Sequence, residues 1–323
     1  TGRDKGKARK VLLEQLAEGE IDLLIGTHAL FQDDVVFQSL GLAVIDEQHR
    51  FGVHQRLALS RKGFAVDVLV MTATPIPRTL VLTFFGDMDS SVLREKPAGR
   101  QKIDTRTIKL DRLDEVIAGL ERALANKQQI YWICPLVEEN EELDLTAVET
   151  RFKSLSERFG TRVGLLHGQM PALEKDAAMQ AFAKGDTQLL VATTVVEVGV
   201  DVPNATIMVI EHAERFGLSQ LHQLRGRIGR GSAQSTCLLL YAGDTGQIAR
   251  ARLDVMRQSE DGFLIAEEDL RLRGEGDVLG TRQSGMPGFR FALAHHHDRL
   301  LGMACDDAKL ILEQDQKLQT ARG

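Results

Sequence analysis

The chain has 323 residues, 43% hydrophobic and 27% charged, so it is long enough for two domains with complete cores. A formal net charge of −6 argues against nucleic-acid binding by the whole surface, so any such contact needs local basic clusters. No hydrophobic run approaches the roughly 20 residues of a membrane helix, and the N-terminal residues form no signal peptide. Cys134, Cys237 and Cys305 match no zinc or redox spacing, which favours reduced, buried thiols of a cytoplasmic protein.

The first segment is similar to a phosphate-binding loop but does not have the required number of residues between its glycines. That loop needs four residues between its glycines and a Ser or Thr after the lysine. Here three residues separate Gly2 from Gly6, and Ala8 follows Lys7. The segment therefore predicts a loop that leads into a helix at 8–18, whose leucines are spaced for one buried face.

A short buried strand is predicted at 21–25, and Gly26-Thr27-His28 follows it. A Gly-Thr pair at a strand-to-helix turn offers backbone N–H groups and a hydroxyl that can hold a phosphate. Taken alone, the pattern favours a simpler interpretation, in which Thr27 only caps a helix.

The strongest chemical signal is the hydrophobic run 42–45, which leads directly into Asp46 and Glu47. Such a run predicts a parallel strand buried on both faces, and ligands bind at the carboxyl ends of such strands. One carboxylate would hold Mg²⁺, mostly through water, and the other would orient or deprotonate an attacking water. The alternative is a strand that ends in a solvated acidic turn.

The next predicted strand, 66–71, leads into Thr72-Ala73-Thr74 and then two prolines. The hydroxyls of Thr72 and Thr74 could hydrogen-bond the neighbouring acidic loop. Such bonds could link the binding of a nucleotide at that loop to a change at another surface. The alternative is a rigid turn, because the prolines fix the exit angle of the chain.

The composition shifts to Pro, Gly and charge around 96–100, which predicts a domain boundary. Strands and helices then alternate, which indicates right-handed βαβ units and a parallel sheet. The acidic run 138–142 is predicted to be a solvated loop. The predicted strands are 129–134, 163–166, 189–192, 206–210 and 236–241, and the predicted helices are 113–125, 146–158, 172–183 and one containing 220–230.

Three arginines lie within six residues: Arg225, Arg227 and Arg230. Arg227 and Arg230 would share one helical face if the helix continued, and such a pair can bind phosphate oxygens. With Gln223 one turn earlier, we favour arginine fingers over a basic surface turn. After residue 242 the pattern predicts helices at 244–256, 262–272 and 297–312, with a Gly-rich basic loop at 273–285.

Together these motifs resemble those of superfamily 2 helicases, over essentially the whole chain. Asp46-Glu47-Gln48-His49 resembles the Walker B box, Thr72-Ala73-Thr74 motif III, residues 193–201 motif V and residues 223–230 motif VI. Residues 269–285 resemble the hairpin and loop with which some members move along duplex DNA. The segments 85–89, 97–100 and 133–139 are typical of the bacterial members that remodel branched DNA.

The resemblance implies an α/β fold with RecA-like parallel-sheet motor domains. The implied segments are the second half of a first motor domain (1–97), a complete second one (98–243), a helical hairpin with a translocation loop (244–290) and the start of a C-terminal helical region (291–323).

The resemblance also implies ATP and Mg²⁺ as cofactors and forked or branched DNA as the partner. Catalysis would use Asp46, Glu47, Arg227 and Arg230, with Asp46 and Glu47 serving Mg²⁺. The implied nucleotide contacts are Gln48, His49, Gly199, Asp201 and Gln223. The implied DNA-binding or coupling residues are Gly2, Thr27, His28, Thr72, Thr74, His167, Gly168, Thr193, Arg252, Arg273 and Gln283.

The central expectation is that the acidic pair of one domain faces the arginine pair of the other across a cleft. Because the wedge domain and phosphate loop of these helicases are missing here, we expect this polypeptide alone to bind ATP weakly and not to unwind DNA. No heptad seam is evident, so we expect a monomer. A single-stranded DNA-binding protein is a further expected partner. Two alternatives stay open: a transcription-repair coupling factor, and a non-catalytic DNA-binding module.

Overall fold

The computed structural model describes residues 6–47, 62–72, 91–93, 95, 99–135, 141–193, 202–273 and 294–315. The chain forms two compact units, Thr1–Ala73 and Thr74–Gly323. The domain bounds expected from the sequence stay predictions.

The first unit contains one helix and a two-stranded parallel sheet. Helix α1 spans Lys7–Glu18, within one residue of the prediction, and ends at Gly19, whose φ of 78° allows the left-handed turn. Strands β1 (Leu42–Ile45) and β2 (Asp67–Val70) pair in parallel. A short 3₁₀ helix spans His28–Phe31.

Two predictions for this unit are wrong. Residues 21–25 form no strand, and Leu23 and Ile25 are 77% and 84% exposed. A strand needs a neighbour for its backbone hydrogen bonds, and no described residue pairs with this run. Strand β1 is buried on one face only, because Ala43 and Ile45 pack inward while Leu42 and Val44 remain more than half exposed.

The second unit is built on a six-stranded parallel sheet with the order β3-β8-β7-β4-β6-β5. Strand β3 was not predicted, because its apolar residues alternate with polar and charged ones such as Asp104 and Arg106. It forms one edge of the sheet and pairs with β8 along its whole length. The strands are β3 (Ile103–Lys109), β4 (Gln129–Ile133), β5 (Val163–Leu166), β6 (Leu189–Ala192), β7 (Ala205–Ile210) and β8 (Ser235–Tyr241).

Helices cover both faces of this sheet and enclose two hydrophobic cores. One core contains Leu120, Trp132 and Leu155, and the other contains Phe182 and Met256. The helices are α2 (Leu113–Ala125), α3 (Glu141–Phe159), α4 (Ala172–Lys184), α5 (Leu218–Arg225), α6 (Gln247–Gln258), α7 (Gly262–Arg273) and α8 (Ala294–Gln314).

Two helix boundaries in this unit differ from the prediction by five residues, and the others by no more than three. Helix α3 begins at Glu141, so Glu141 and Glu142 belong to a helix rather than to the expected solvated loop. Helix α5 ends at Arg225 instead of continuing to residue 230. It cannot continue as predicted because Gly229 adopts a left-handed φ of 70°.

The cysteine prediction is confirmed where it can be examined. Cys134 and Cys237 are buried free thiols, and burial raises the pKa of Cys237 to about 12. The Cys305 side chain lies outside the described residues. Among the helices that the structure describes, none combines the length and apolar character of a membrane span.

Candidate functional site

The acidic pair lies at the carboxyl end of β1, beside the end of β2. Ile45 pairs with Val70, and the Met71 N–H donates to the Ile45 carbonyl at 2.8 Å. This pairing brings Thr72, which is half-buried, to the same edge of the sheet as Asp46 and Glu47. The structure therefore places one predicted hydroxyl, that of Thr72, at the same sheet edge as the two predicted carboxylates.

Glu47 has an unusual backbone conformation. Its φ is 55°, in the left-handed region that non-glycine residues rarely adopt, and its N–H donates to Asp46 Oδ1 at 2.9 Å. Asp46 is exposed and Glu47 is half-buried. Such conformations cost about 1–3 kcal/mol and concentrate at functional sites, so the turn supports a chemical role for this pair.

A second group of predicted residues meets at the carboxyl edge of the six-stranded sheet. Leu166 and Ala192 pair at the ends of β5 and β6, and the Thr193 N–H donates to the Leu166 carbonyl at 3.2 Å. His167, Gly168 and Thr193 therefore lie together. The Lys175 ammonium donates to the Gly168 carbonyl and fixes the turn.

Two buried polar atoms in this group have no hydrogen-bond partner among the described residues. They are His167 Nδ1 and Thr193 Oγ1, and Thr193 is only 3% exposed. Buried polar groups are almost always hydrogen-bonded, so each exception needs an explanation. Because both atoms are shielded from solvent, a ligand oxygen would reach them only after a local rearrangement of this edge.

The three clustered arginines have different environments. Arg225 is 2% exposed and points into the domain, Arg227 is half-buried, and Arg230 is exposed with its Nε donating to the Gly226 carbonyl at 3.3 Å. Because α5 ends at Arg225, the condition under which Arg227 and Arg230 would share one helical face is not met. Gln223 lies on α5, half-buried.

Sequence reasoning missed a buried ion pair between Arg151 on α3 and Glu211 at the end of β7. Arg151 donates from Nε to Glu211 Oε2 at 2.9 Å and from Nη2 to Oε1 at 2.5 Å. Trp132 Nε1 donates to the same carboxylate at 2.9 Å, and the guanidinium lies 5.3 Å from the centre of the Trp132 ring. Burial alone would lower the pKa of Arg151, but hydrogen bonds and charge from Glu211 outweigh it and raise the pKa. The position of Glu211 directly after an apolar strand was a sequence feature that could have indicated a functional or paired carboxylate. No local sequence feature indicates that Arg151 is its partner.

Two more predicted residues can be placed. Thr27 precedes the 3₁₀ helix, but its exposed side chain makes no capping hydrogen bond. Arg252 is half-buried on α6, and its Nε has no partner among the described residues. The predicted residues outside the described ones are Gly2, Gln48, His49, Thr74, Gly199, Asp201 and Gln283, together with the side chains of His28 and Arg273.

Three family models match consecutive parts of the chain. Residues 2–82 match the DEAD/DEAH box helicase model, and residues 108–232 match the helicase conserved C-terminal domain. Residues 259–322 match the model of ATP-dependent DNA helicase RecG, domain 3, C-terminal.

Curated relatives and a solved structure agree with these matches. The chain is 53% identical over 317 residues to the ATP-dependent DNA helicase RecG of Bacillus subtilis (strain 168), covering 98% of the chain and 46% of that protein. It is 52% identical to RecG of Synechocystis, covering 99% of the chain and 38% of that protein. A structure of RecG bound to a three-way DNA junction is 42% identical with a TM-score of 0.69, covering 93% of this chain and 38% of that one.

These matches confirm the α/β fold with RecA-like helicase domains. The chain spans less than half the length of these relatives. Over nearly all of its residues, the chain is homologous to part of the ATP-dependent DNA helicase RecG.

Proposed function

We propose that the complete protein containing this chain is an ATP-dependent DNA helicase that remodels branched DNA. The observation that carries the proposal is the 53% identity to a RecG helicase over 98% of the chain. RecG has been captured on a three-way DNA junction, which supports forked or branched duplex as the substrate. The RecG-specific match at residues 259–322 favours this function over that of a transcription-repair coupling factor.

The proposed nucleotide chemistry uses the acidic pair together with Arg227 and Arg230. Carboxylate oxygens are the ligands that Mg²⁺ prefers, and Asp46 presents an exposed carboxylate at a strand end. Mg²⁺, when bound, would neutralise charge on the phosphates of ATP. Asp46 would hold that ion largely through water, and Glu47 would orient the attacking water and accept its proton.

The arginines would act on the charge that develops during hydrolysis. Arg227 and Arg230 would donate hydrogen bonds to the phosphate oxygens, which carry most charge in the transition state. The residues proposed to contact the nucleotide are Gln48, His49, Gly199, Asp201 and Gln223. The pairing of the acidic residues with the arginines across a cleft stays a prediction.

The proposed DNA contacts lie at the carboxyl edge of the second sheet. His167, Gly168 and Thr193 meet there, and the unsatisfied His167 Nδ1 and Thr193 Oγ1 suit phosphate oxygens of the DNA backbone. The other proposed DNA-binding or coupling positions are Gly2, Thr27, His28, Thr72, Thr74, Arg252, Arg273 and Gln283. A monomeric state and a single-stranded DNA-binding protein as partner are part of the proposal, and both can be tested by gel filtration.

Arg227→Ala in the complete protein tests the proposal. We expect DNA-stimulated ATP hydrolysis to fall by about 10³-fold or more, because an arginine finger acts on the transition state. DNA affinity should change little. The matched control is Arg112→Ala, which removes an exposed arginine paired with Glu115 and should leave both quantities unchanged. Undiminished hydrolysis in Arg227→Ala would contradict the proposed role.

A further inference from the structure

The guanidinium of Arg225 joins α5 to the end of α6. Its Nη1 donates to the Met256 carbonyl at 2.7 Å and to the Ser259 carbonyl at 2.9 Å. The Thr105 hydroxyl on β3 lies 3.5 Å from the same nitrogen, and His222 Nδ1 lies 3.3 Å from Nη2. One side chain therefore contacts the sheet edge, the α6–α7 connection and its own helix.

Such a buried cation is costly unless its N–H groups are satisfied. Burial lowers the pKa of Arg225, and the nearby Glu260 carboxylate opposes that effect. In the described part of the chain, the hydrogen bonds assigned to its guanidinium go to carbonyl, hydroxyl and imidazole groups rather than to a carboxylate. The main effect of these bonds is therefore to hold backbone segments in place.

Two other contacts fix the same region. The Ile103 N–H at the start of β3 donates to Glu260 Oε1 at 2.5 Å, in the segment that links α6 to α7. The Ser219 hydroxyl donates to Asp269 Oδ2 at 3.2 Å and so ties the first turn of α5 to α7. Helix α5 is thus attached near both ends, with Arg225 providing the attachment at its C-terminus.

We propose that Arg225 is a positioning residue for the two arginines that follow it. By fixing the C-terminal end of α5, it makes Arg227 and Arg230 leave the helix in the geometry that ATP hydrolysis requires. Arg227 lies only two residues beyond the attachment, so a shift of the helix end displaces its guanidinium directly. A displacement of about 1 Å can reduce the rate of a catalysed step by about 10²-fold. This inference rests on the proposed function.

The test compares two substitutions in the complete protein, Arg225→Met and Arg225→Lys. The readouts are the affinity for ADP with aluminium fluoride, which mimics the transition state, and the affinity for ADP alone. We expect Arg225→Met to bind the transition-state mimic at least about tenfold more weakly, with ADP affinity within about twofold of the parent. Arg225→Lys keeps the charge and part of the hydrogen bonding. Its affinity for the transition-state mimic should therefore lie between those of the parent and Arg225→Met.

Arg151→Lys is the matched control, because it changes a half-buried, hydrogen-bonded arginine on the other face of the same sheet. It should lower stability while leaving both affinities unchanged, since affinity does not depend on the fraction of folded protein. If Arg225→Met and Arg225→Lys keep full affinity for the transition-state mimic, the positioning role is wrong. If Arg227→Ala, measured in parallel, also keeps that affinity, the proposed function fails and not merely the role of Arg225.

Discussion

At the scale of single residues, the arginines of the second unit perform different tasks despite identical chemistry. Arg225 is buried, Arg151 is half-buried, and both bind fixed groups of the protein, whereas Arg230 is exposed. The sequence predicted a cluster of cations but could not distinguish these tasks. Burial depends on where α5 ends and on contacts with residues far along the chain, and neither is visible in local spacing.

Removing Arg151 should destabilise the second unit strongly. Among the described residues, Arg151→Met leaves the Glu211 carboxylate with two neutral donors, the Trp132 N–H and the Cys134 thiol at 4.0 Å, and an uncompensated buried charge typically costs about 3–5 kcal/mol. The double substitution Arg151→Met with Glu211→Gln removes that charge and should recover most of the loss. Chemical denaturation of both variants would measure the free energies of unfolding. If Arg151→Met alone is as stable as the parent, the ion pair between Arg151 and Glu211 contributes little to the free energy of unfolding.

At the scale of helices and strands, the sequence predicted continuous apolar strands well, but it did not predict the edge strand, in which apolar and polar residues alternate. The bounds of β5, β6 and α2 match the predicted ones residue for residue. Strand β3 was missed because it lies at a sheet edge, where alternating polar residues are tolerated. The run 21–25 was wrongly predicted as a strand, because apolar composition alone does not supply a neighbouring strand.

The turn after α5 provides an element-scale test through Gly229. Its φ is 70°, and an added Cβ would lie 3.1 Å from Ile103 Cγ1. Gly229→Ala should therefore lower stability by about 1–2 kcal/mol, the cost of a left-handed conformation for a residue with a side chain. The control is Gly119→Ala within α2, where a Cβ meets nothing closer than Arg122 at 4.0 Å and should stabilise the helix. Equal thermal melting of the two variants would contradict this explanation.

At the scale of the whole molecule, the sequence predicted the helicase fold and the residues at the strand ends that carry its motifs. The structure brings Asp46, Glu47 and Thr72 together in one unit, and His167, Gly168 and Thr193 together in the other. Motif spacing predicts such groups within one sheet because parallel strands end at one edge. It does not determine how two units approach each other, since no local pattern encodes that geometry.

The proposed coupling between hydrolysis and DNA movement can be tested in the complete protein with Arg273. We expect Arg273→Ala to keep DNA-stimulated ATP hydrolysis within about threefold of the parent and to lose most junction unwinding, because the proposal assigns DNA movement, and not the chemistry, to the hairpin region. Arg227→Ala should lose both activities. Hydrolysis and unwinding would be measured in parallel for both variants. If Arg273→Ala lost as much hydrolysis as Arg227→Ala, the proposed separation of DNA movement from the chemistry would be wrong.

The edge strand β3 also determines when the second unit can fold during synthesis. It pairs only with β8 in the sheet, from Ile103 with Ser235 to Lys109 with Tyr241, about 130 residues further along the chain. A nascent polypeptide therefore carries β3 without its neighbour until nearly the whole sheet has left the ribosome. At about 5–20 residues per second, that interval lasts roughly 7–26 seconds. During that time the backbone N–H and C=O groups of β3 lack the strand that pairs with them in the folded sheet.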